Sequence, residues 1–334
     1  MAISCYAAFQ PGEQLKPYSH QTGKLGDWEV EIQITHCGLC HSDIHLIDND
    51  WQISTYPLVP GHEIVGIVRQ VGAQVTGVKG GDRVGVGWQC GSCLQCEWCI
   101  RGEEHCCTQS AATCVGRPGG FAEAIRVDGR FAHPIPAVLS SEEAAPLLCA
   151  GITVYSPLRY LGAQPGSRVA ILGIGGLGHL AIQYAKAMGC EVTAISTTRD
   201  KEKEARTFGA HHFLLSSDKS EMQKAAGSFD FILSTVFAKL DWPLLMNLLR
   251  TRGTLCIVGA GADAIQIPSD VLLMGQKGIR GSIIGSRTTM QEMLRFSALH
   301  SVRPKIEVVP LSAVNEAIEK VRKNQARYRM VLAV

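Results

Sequence analysis

The chain has 334 residues, of which 46% are hydrophobic and 19% charged, and its formal net charge is +2. This length favours two domains, the composition supports a large buried core rather than disorder, and the near-neutral charge provides no basic field for nucleic acid. No apolar run approaches the roughly 18 residues of a membrane span, and the opening MAISCYAAFQPGEQ lacks the basic leader of a signal peptide. We therefore expect a cytoplasmic protein with neither a nucleic-acid nor a membrane partner.

The chain shows two patterns of predicted elements in succession. Up to about residue 145, short strand-like runs such as WEVEIQITHC, IVGIVRQVG and GFAEAIRVDG lie between glycines, which predicts a β-rich body with long functional loops. From about 150 to 285, strand and helix patterns alternate, as in RVAIL, GGLGHLAIQYAKAMG and EVTAIS, which predicts a parallel sheet covered on both faces. Beyond about residue 287, the helix candidates TMQEMLRFSALH and SAVNEAIEKVRKN precede a last strand, YRMVLAV.

A cysteine-rich stretch, GSCLQCEWCIRGEEHCC, lies inside the β-rich part. It holds five cysteines: Cys93, Cys96, Cys99, Cys106 and Cys107. In a reducing compartment such a cluster is more often a metal or redox site than a set of disulfides. Four thiolates at these spacings favour a structural zinc site, with an iron–sulfur cluster and a redox thiol relay as alternatives. Cys106 and Cys107 compete for the fourth ligand position.

A second set of possible metal ligands is dispersed along the chain. It comprises Cys37, Cys40, His41 and His45 in CGLCHSDIH, His62 and Glu63 in PGHEIVG, and Cys149 in LLCAGITVY. Each residue alone is ordinary, because a buried cysteine usually acts as a small hydrophobic side chain. Two cysteines and one histidine together would form the open three-ligand zinc site that leaves a position for water or substrate.

A glycine-rich segment, GIGGLG, follows the predicted strand RVAIL and opens a predicted helix. Its glycines are Gly173, Gly175, Gly176 and Gly178. They would permit a tight turn, close approach of the backbone to a pyrophosphate, and close helix–strand packing, while the helix N-terminus favours the anion. This setting predicts a dinucleotide site rather than a glycine-rich turn without a ligand.

The end of the second strand of this half predicts which dinucleotide is bound. It reads Ser196-Thr197-Thr198-Arg199-Asp200-Lys201. An NAD site would place a carboxylate at this strand tip, whereas hydroxyls followed by two cations suit a 2′-phosphate. Asp200 is counter-evidence, although we expect it to lie past the tip and point to solvent. The segment favours NADP over the alternative of a solvated basic loop.

Several of these segments together carry a resemblance to a known family. CHSDIH, YPLVPGHEIVGIVRQVG, CLQCEWCIRGEEHCC, CAGITVYSPL and GIGGLG resemble the zinc-dependent medium-chain alcohol dehydrogenases, and DNDWQISTYPLVPGHEIVG and STTRDK resemble the NADP-dependent cinnamyl-alcohol-dehydrogenase-like branch. The resemblance covers nearly the whole chain and implies an α/β fold in three parts. These are a GroES-like β-rich catalytic domain at 1–147 with a structural zinc lobe at 88–110, a doubly wound parallel-sheet Rossmann domain for NADP at 148–286, and a C-terminal segment at 287–334 that returns to the catalytic domain.

The resemblance also implies roles for individual residues. Cys40, His62 and Cys149 would bind a catalytic zinc ion, Glu63 would be a near ligand, Ser42 and His45 would form a proton relay, and Asp43 would support the ligands. The family's seven-residue gap selects Cys107 over Cys106 beside Cys93, Cys96 and Cys99, which makes two zinc ions per chain and leaves Cys37 and Cys90 without a role. The NADP(H)-binding residues would be Thr153, Gly173, Gly175, Gly176, Leu177, Gly178, Ser196, Thr197, Thr198, Arg199, Lys201, Gly259, Ser282 and Ile284.

The implied reaction is reversible hydride transfer between NADP(H) and a primary alcohol or aldehyde, aromatic or medium-chain aliphatic. Trp51 and Trp88 would narrow the substrate pocket, which puts a bulky cinnamyl substrate in doubt. The apolar stretch GIRGSIIGS at 278–286 predicts an edge strand that pairs with a second copy in a homodimer.

Three other functions are weighed against this one. A zinc-free quinone or enoyl reductase of the same fold would lack Cys40, His62 and Cys149, and a polyol or amino-sugar dehydrogenase would usually favour NAD. A non-catalytic NADPH-binding redox sensor that uses the cysteine-rich lobe would need no Ser42–His45 relay.

Overall fold

A computed structural model describes residues 2–161, 163–259 and 264–334 and divides the chain into two units. The first unit comprises the chain up to Cys149, Gly285–Leu299 and Arg303–Val334. The second comprises Ala150–Ile284 and His300–Val302. None of the 13 cysteines forms a disulfide.

The N-terminal part of the first unit is mostly strand. Its strands are β1 (Ala2–Ala7), β2 (Lys16–Gln21), β3 (Glu29–Leu39), β4 (Glu63–Val71), β5 (Arg83–Val86), β6 (Gln89–Gly91), β7 (Ala111–Ala112), β8 (Ala124–Asp128) and β9 (His133–Pro134). Its helices are α1 (His41–Asp48), α2 (Glu97–Ile100) and α3 (Ser141–Pro146), and a π-helical turn, Leu147–Gly151, follows α3.

The second unit alternates helix and strand. Its helices are α4 (Ile152–Leu161), α5 (Gly178–Ala187), α6 (Glu202–Thr207), α7 (Lys219–Lys224), α8 (Trp242–Leu248) and α9 (Ser269–Gly275). Its strands are β10 (Arg168–Leu172), β11 (Glu191–Ser196), β12 (His212–Leu215), β13 (Phe229–Ser234), β14 (Leu249–Ile257) and β15 (Gly278–Gly281).

The last part of the chain adds α10 (Arg287–His300), β16 (Ile306–Pro310), α11 (Val314–Arg322) and β17 (Arg329–Ala333). Both β16 and β17 join the sheet of the first unit, whose order is β16-β17-β3-β4-β5-β9, with β8 also paired to β3. Pairs β1-β2 and β6-β7 form two small separate sheets. Alternating apolar residues of these strands pack into one core, to which α11 adds Val314, Ala317, Ile318 and Val321.

The sheet of the second unit has the order β12-β11-β10-β13-β14-β15, and all its pairs are parallel. Numbered within the unit this is 3-2-1-4-5-6, the order of a doubly wound α/β fold. Its strands are apolar along their length, as in the fully buried Val169, Ala170 and Ile171, because a parallel sheet is covered on both faces. The predicted parallel sheet is therefore confirmed.

The predicted edge strand is shorter in the structure than in the sequence analysis. β15 does lie at the sheet edge, but it ends at Gly281, and the rest of GIRGSIIGS continues without strand pairing as far as Ser286. Ile283 in this continuation is 61% exposed, whereas Ile284 is buried. Among the described residues, no helix has both the length and the apolar character needed to cross a membrane.

Candidate zinc and dinucleotide sites

Three neighbouring strands of the first unit bring distant residues to one end of its sheet. β3 ends at Leu39, just before Cys40, and its Gly38 pairs with Glu63 at the start of β4. On the other side of β3, Leu39 pairs with Met330, the second residue of β17. The register therefore places Cys40, His62, Glu63 and Arg329 side by side, although they come from three separate segments of the sequence.

A buried group of possible metal ligands occupies this end of the sheet. It consists of Cys40, His62, Glu63 and Cys149, and one ligand atom from each lies within 4.8 Å of all the others. His62 Nε2 is 3.3 Å from Cys149 Sγ. Among the described residues, Glu63 Oε2 has no hydrogen-bond partner, although it is fully buried. Two thiols, an imidazole and an unsatisfied carboxylate oxygen fit a zinc ion, which accepts all three ligand types.

Asp43 orients two of the possible ligands through hydrogen bonds. Its Oδ2 accepts a hydrogen bond from the Cys40 backbone N–H at 2.9 Å, and its Oδ1 accepts from the Gly61 N–H at 2.9 Å and from His62 Nδ1 at 3.0 Å. Because a carboxylate can only accept, Nδ1 carries a proton, and Nε2 is the ring nitrogen that faces Cys149 and could bind a metal. A histidine ligand is commonly oriented by such a carboxylate.

Burial and mutual contacts shift the pKa of each possible ligand. A hydrogen bond from the Cys149 thiol holds the pKa of Cys40 well below its usual range despite burial, and the same bond raises the pKa of Cys149. Burial lowers the pKa of His62, but Asp43 and Cys149 outweigh it and raise the pKa overall. Burial raises the pKa of Glu63 to about 7, against the opposing charge of Arg329. The group therefore favours a thiolate at Cys40, the form in which cysteine binds metals.

Two further residues of this site were not predicted from the sequence. Arg329 is 4% exposed and forms an ion pair with Glu63 Oε1, and Cys114 lies with Asp43 and His62 in a further buried group. A signal existed for Arg329, because a single arginine in the apolar strand YRMVLAV requires a buried anionic partner. No pattern in the sequence marks Cys114.

The predicted relay and pocket residues lie beside the same group. Ser42 Oγ is 3.7 Å from Cys40 Sγ, and His45, one turn later on α1, places Nδ1 2.7 Å from Asp50 Oδ2. The Trp88 ring lies edge-on to His62 at 5.0 Å and to Trp51 at 6.0 Å between ring centroids. The two indoles thus form an apolar wall next to the possible ligands.

The cysteine-rich stretch forms a second group of possible metal ligands. Its members are Cys93, Cys96, Cys99 and Cys107, and their sulfur atoms lie within 4.8 Å of one another. The Cys93–Cys107 and Cys93–Cys99 sulfur distances are 3.5 and 3.9 Å. A tetrahedral zinc ion with bonds of about 2.3 Å requires sulfur–sulfur distances of about 3.8 Å, so the group fits zinc. Cys106 is exposed and lies outside it.

The buried Glu104 anchors the lobe that carries these cysteines. Its carboxylate accepts hydrogen bonds from Arg287 Nε at 2.7 Å and Nη2 at 2.6 Å, and its backbone carbonyl accepts from Gln89 Nε2 at 2.8 Å. Arg287 begins α10 and also lies over the Phe131 ring, 5.3 Å from its centroid. The lobe is therefore held to the rest of the first unit by a largely buried ion pair.

In the second unit, the glycine-rich segment turns between β10 and α5. Gly173 has φ of +92°, a conformation that favours glycine, and a Cβ on Gly178 would lie 1.8 Å from the Gly173 carbonyl oxygen. A Cβ on Gly175 would meet nothing within 4 Å, so this face of the loop is open to a ligand. Gly176 and Leu177 complete the turn, and Leu177 is the N-cap of α5. The turn fits a pyrophosphate at a helix N-terminus.

The predicted dinucleotide residues lie mostly at the carboxyl ends of the parallel strands. Ser196 ends β11 and is buried, Thr197 and Thr198 follow it exposed, and Arg199 and Lys201 lie in a 3-10 turn. Lys201 Nζ donates to the Ile174 carbonyl at 3.1 Å, which brings this tip to the glycine-rich turn. Asp200 is exposed and accepts from the Thr198 hydroxyl.

The remaining predicted residues extend this edge of the sheet. Gly259 follows β14, Ser282 and Ile284 follow β15, and the Ser282 N–H donates to the Ile257 carbonyl at 3.1 Å. Thr153 lies in α4, which packs on α5 through Tyr155 and Tyr184, whose ring centroids are 5.3 Å apart. Ligands of doubly wound folds bind at this edge of the sheet.

Comparisons with known proteins agree with these features. Two family models match, the alcohol dehydrogenase GroES-like domain over residues 26–137 and the zinc-binding dehydrogenase over residues 176–298. An aldehyde reductase of Synechocystis sp. is 42% identical and aligns over 99% of this chain and 98% of its own length. The chain therefore belongs to the zinc-dependent medium-chain alcohol dehydrogenase family, as the sequence motifs predicted.

Solved structures support the same assignment and the predicted fold class. A cinnamyl alcohol dehydrogenase of Sorghum bicolor has a TM-score of 0.96 at 40% identity, covering 100% of this chain and 98% of its own. A cinnamyl alcohol dehydrogenase of Helicobacter pylori, solved with NADP(H), has a TM-score of 0.93 at 33% identity, with the same coverage. The predicted combination of GroES-like and Rossmann domains is confirmed.

Proposed function

We propose that this chain is a zinc-dependent, NADP(H)-linked alcohol dehydrogenase or aldehyde reductase that interconverts a primary alcohol and its aldehyde. The observation that carries the proposal is the buried group of Cys40, His62, Glu63 and Cys149, whose ligand atoms converge within 4.8 Å. Two cysteines and one histidine are the three-ligand set of a catalytic zinc site, which leaves a fourth position for water or substrate. The reductase and dehydrogenase names of the similar proteins support the reaction class.

Two sets of residues in the first unit would each hold one zinc ion. Cys40, His62 and Cys149 would hold a zinc ion, with Glu63 as an exchangeable ligand. When bound, zinc supplies Lewis-acid chemistry at the substrate oxygen, and NADP(H) supplies or accepts a hydride. The four cysteines of the lobe would hold a second, structural zinc ion.

Ser42 and His45 would move the proton that accompanies hydride transfer. The Ser42 hydroxyl lies beside Cys40 and would accept the alcohol proton at Oγ during oxidation. His45 follows one turn later on α1, and its contact with the half-exposed Asp50 gives the proton a path toward solvent. In aldehyde reduction the same groups would deliver the proton in the opposite direction.

Trp51 and Trp88 would form the apolar wall of the substrate pocket. Trp88 packs against His62, and Trp51 packs against both Trp88 and His45. A substrate held at the possible ligands would therefore lie against these rings. This wall fits the carbon chain or ring of an aromatic or medium-chain aliphatic aldehyde. Bulky cinnamyl substrates should be turned over less well than benzaldehyde-sized ones.

The dinucleotide would bind at the carboxyl edge of the parallel sheet in the second unit. Ser196, Thr197 and Lys201 would hold a 2′-phosphate, with Arg199 helping or lying over the adenine. The exposed edge near β15 would pair with a second copy in a homodimer. We place this enzyme in the cytoplasm, where the free thiols of both clusters would stay reduced.

The test is a metal analysis followed by a substrate assay. The purified protein should carry two zinc ions per chain. A panel of primary alcohols and aldehydes of graded size, assayed with NADPH and with NADH, should give turnover that favours NADPH. One zinc ion per chain, iron in place of zinc, or no turnover on the whole panel would contradict the proposal.

A further inference from the structure

The guanidinium of Arg199 is already engaged by carboxylates of its own unit. Its Nη2 forms an ion pair with Glu221 Oε1, and its Nη1 is 3.5 Å from Glu202 Oε2. Arg199 is one of the two cations at the strand tip that the sequence offers to a 2′-phosphate. A 2′-phosphate that bound Arg199 would therefore have to compete with a carboxylate that already occupies the guanidinium.

Glu221 is held at the same edge of the sheet as Ser196. β12 runs parallel to β11 with Leu215 opposite Ser196, and the Ser216 N–H donates to the Ser196 carbonyl at 2.8 Å. Glu221 Oε2 accepts the backbone N–H of Leu215 at 2.9 Å, which leaves Oε1 for Arg199. The carboxylate is thus fixed by the neighbouring strand beside the predicted phosphate position.

Glu202, unlike Glu221, forms its main ion pair with a residue other than Arg199. Its Oε1 pairs with Arg206 at 2.9 Å, one turn along its own helix, so its contact with Arg199 is a longer, secondary one. Glu221 is therefore the main anionic partner of Arg199.

The electrostatic effect of Glu221 on a bound dinucleotide is selective. NADPH differs from NADH by a 2′-phosphate carrying close to two negative charges, for which an arginine is the preferred bidentate partner. The Glu221 carboxylate competes for that guanidinium and repels the phosphate, whereas the uncharged ribose hydroxyl of NADH experiences neither effect. Since Arg199 is 53% and Glu221 26% exposed, solvent reduces both effects.

We propose that Glu221 is a specificity-determining residue of the dinucleotide site, which weakens NADPH binding by occupying Arg199 and so limits the preference for NADPH over NADH. This inference rests on the proposed NADP(H) dependence. The carboxylate that discriminates between the two dinucleotides would then lie in α7, the helix after β12, and not at the tip of β11.

The test compares Glu221→Gln with the wild type by fluorescence titration of NADPH and NADH. The glutamine amide oxygen can still accept the Leu215 N–H, so the change removes the charge and keeps the anchor. Losing a competing exposed ion pair and a nearby like charge should tighten NADPH binding about two- to tenfold and leave NADH binding unchanged. In an Arg199→Ala background, Glu221→Gln should give a clearly smaller gain.

Glu191→Gln is the matched control, because it removes the same charge at the opposite end of β11, where Glu191 pairs with His212. It should leave both affinities unchanged. Unchanged NADPH affinity in Glu221→Gln would overturn the inference. Equal weakening of both dinucleotides would also overturn it, since Glu221 would then serve to place Arg199 against the adenine. The ratio of NADPH to NADH affinity in the wild type tests the proposed function separately. A wild type that prefers NADH would refute that function.

Discussion

The two groups of possible zinc ligands in the first unit differ in almost every physical respect. Cys40, His62, Glu63 and Cys149 come from distant segments, are all buried, and include three ligand types. The lobe group, Cys93, Cys96, Cys99 and Cys107, comes from one short segment of the chain, is partly exposed, and consists of thiols alone. One group is assembled by the sheet, whereas the other is assembled by local chain geometry.

Their supporting contacts differ in the same way. Asp43 and Arg329 support the buried group with charged side chains, and Glu63 keeps one oxygen without a hydrogen-bond partner among the described residues. The lobe sulfurs accept mainly backbone hydrogen bonds, from the Cys96 N–H at 3.4 Å and the Gln109 N–H at 3.3 Å. Backbone donors also lower the pKa of Cys93 to about 6. The comparison indicates that the buried group is built for adjustable chemistry and the lobe for a fixed, closed site.

The most severe test of this comparison is His62→Ala. It removes one ligand of the buried group and leaves the lobe intact, so zinc content should fall from two ions per chain to one. Turnover should drop to background, because an open site with two remaining cysteine ligands cannot hold its metal productively. Far-ultraviolet circular dichroism should remain that of the folded protein. Retained turnover, or loss of both zinc ions, would contradict the separation of the two groups.

Cys96→Ser should instead act on stability. A closed structural zinc site contributes folding free energy directly, so losing one of four thiolates should lower the apparent melting temperature by about 10 °C or more. Cys106→Ser is the matched control, since this neighbouring cysteine is exposed and outside the group. It should keep two zinc ions and the wild-type melting temperature. If Cys106→Ser loses zinc and Cys96→Ser does not, the ligand assignment of the lobe is wrong.

Ser42→Ala separates proton transfer from metal binding within the buried group. The variant should keep both zinc ions and wild-type NADPH affinity, because Ser42 only borders Cys40 at 3.7 Å. General acid–base assistance is worth about 10²–10⁴-fold, so turnover should fall within that range. Wild-type turnover would exclude Ser42 from the relay.

Asp43→Asn tests the support behind the ligands. The amide can replace only one carboxylate oxygen as an acceptor, so either the Cys40 N–H or the pair formed by the Gly61 N–H and His62 loses its partner. Loss of such support commonly costs about 10–100-fold in metal affinity or activity. Asp48→Asn is the control on the same helix, because Asp48 pairs with Arg322 rather than with the ligands. Equal zinc affinity in the two variants would remove Asp43 from the site.

The same contrast explains how much could be predicted from the sequence. The lobe was visible as a zinc candidate from spacing, because its ligands are close in sequence, and only the choice between Cys106 and Cys107 needed the family resemblance. The dispersed residues could be grouped as a possible three-ligand zinc site, but only the resemblance selected Cys40, His62 and Cys149 among them. The Arg329–Glu63 pair depends on β17 lying beside β3, a long-range pairing that no local pattern specifies. For the same reason, the sequence showed Arg199 as a cation but not the Glu221 that faces it.

The smallest expected effect concerns acid stability near the lobe, through His133. This residue is 4% exposed, and burial, reinforced by Arg287, lowers its pKa from 6.5 to about 4, against the opposing charge of Glu104. In the unfolded chain His133 takes up a proton near pH 6.5, whereas in the folded chain it stays neutral until about pH 4. Its contribution to stability is therefore complete above pH 6.5 and is lost as the pH falls toward 4.

Between pH 7 and pH 5 this linkage should remove about 2 kcal/mol from the free energy of unfolding. His133→Gln cannot take up the proton, so its free energy of unfolding should fall by about 2 kcal/mol less than that of the wild type over the same interval, even if the variant is less stable at pH 7. His212→Gln, at an exposed histidine of the second unit, is the control and should follow the wild type. Denaturant unfolding at both pH values measures the difference. Parallel losses in wild type and His133→Gln would mean that acid weakens the molecule through other groups.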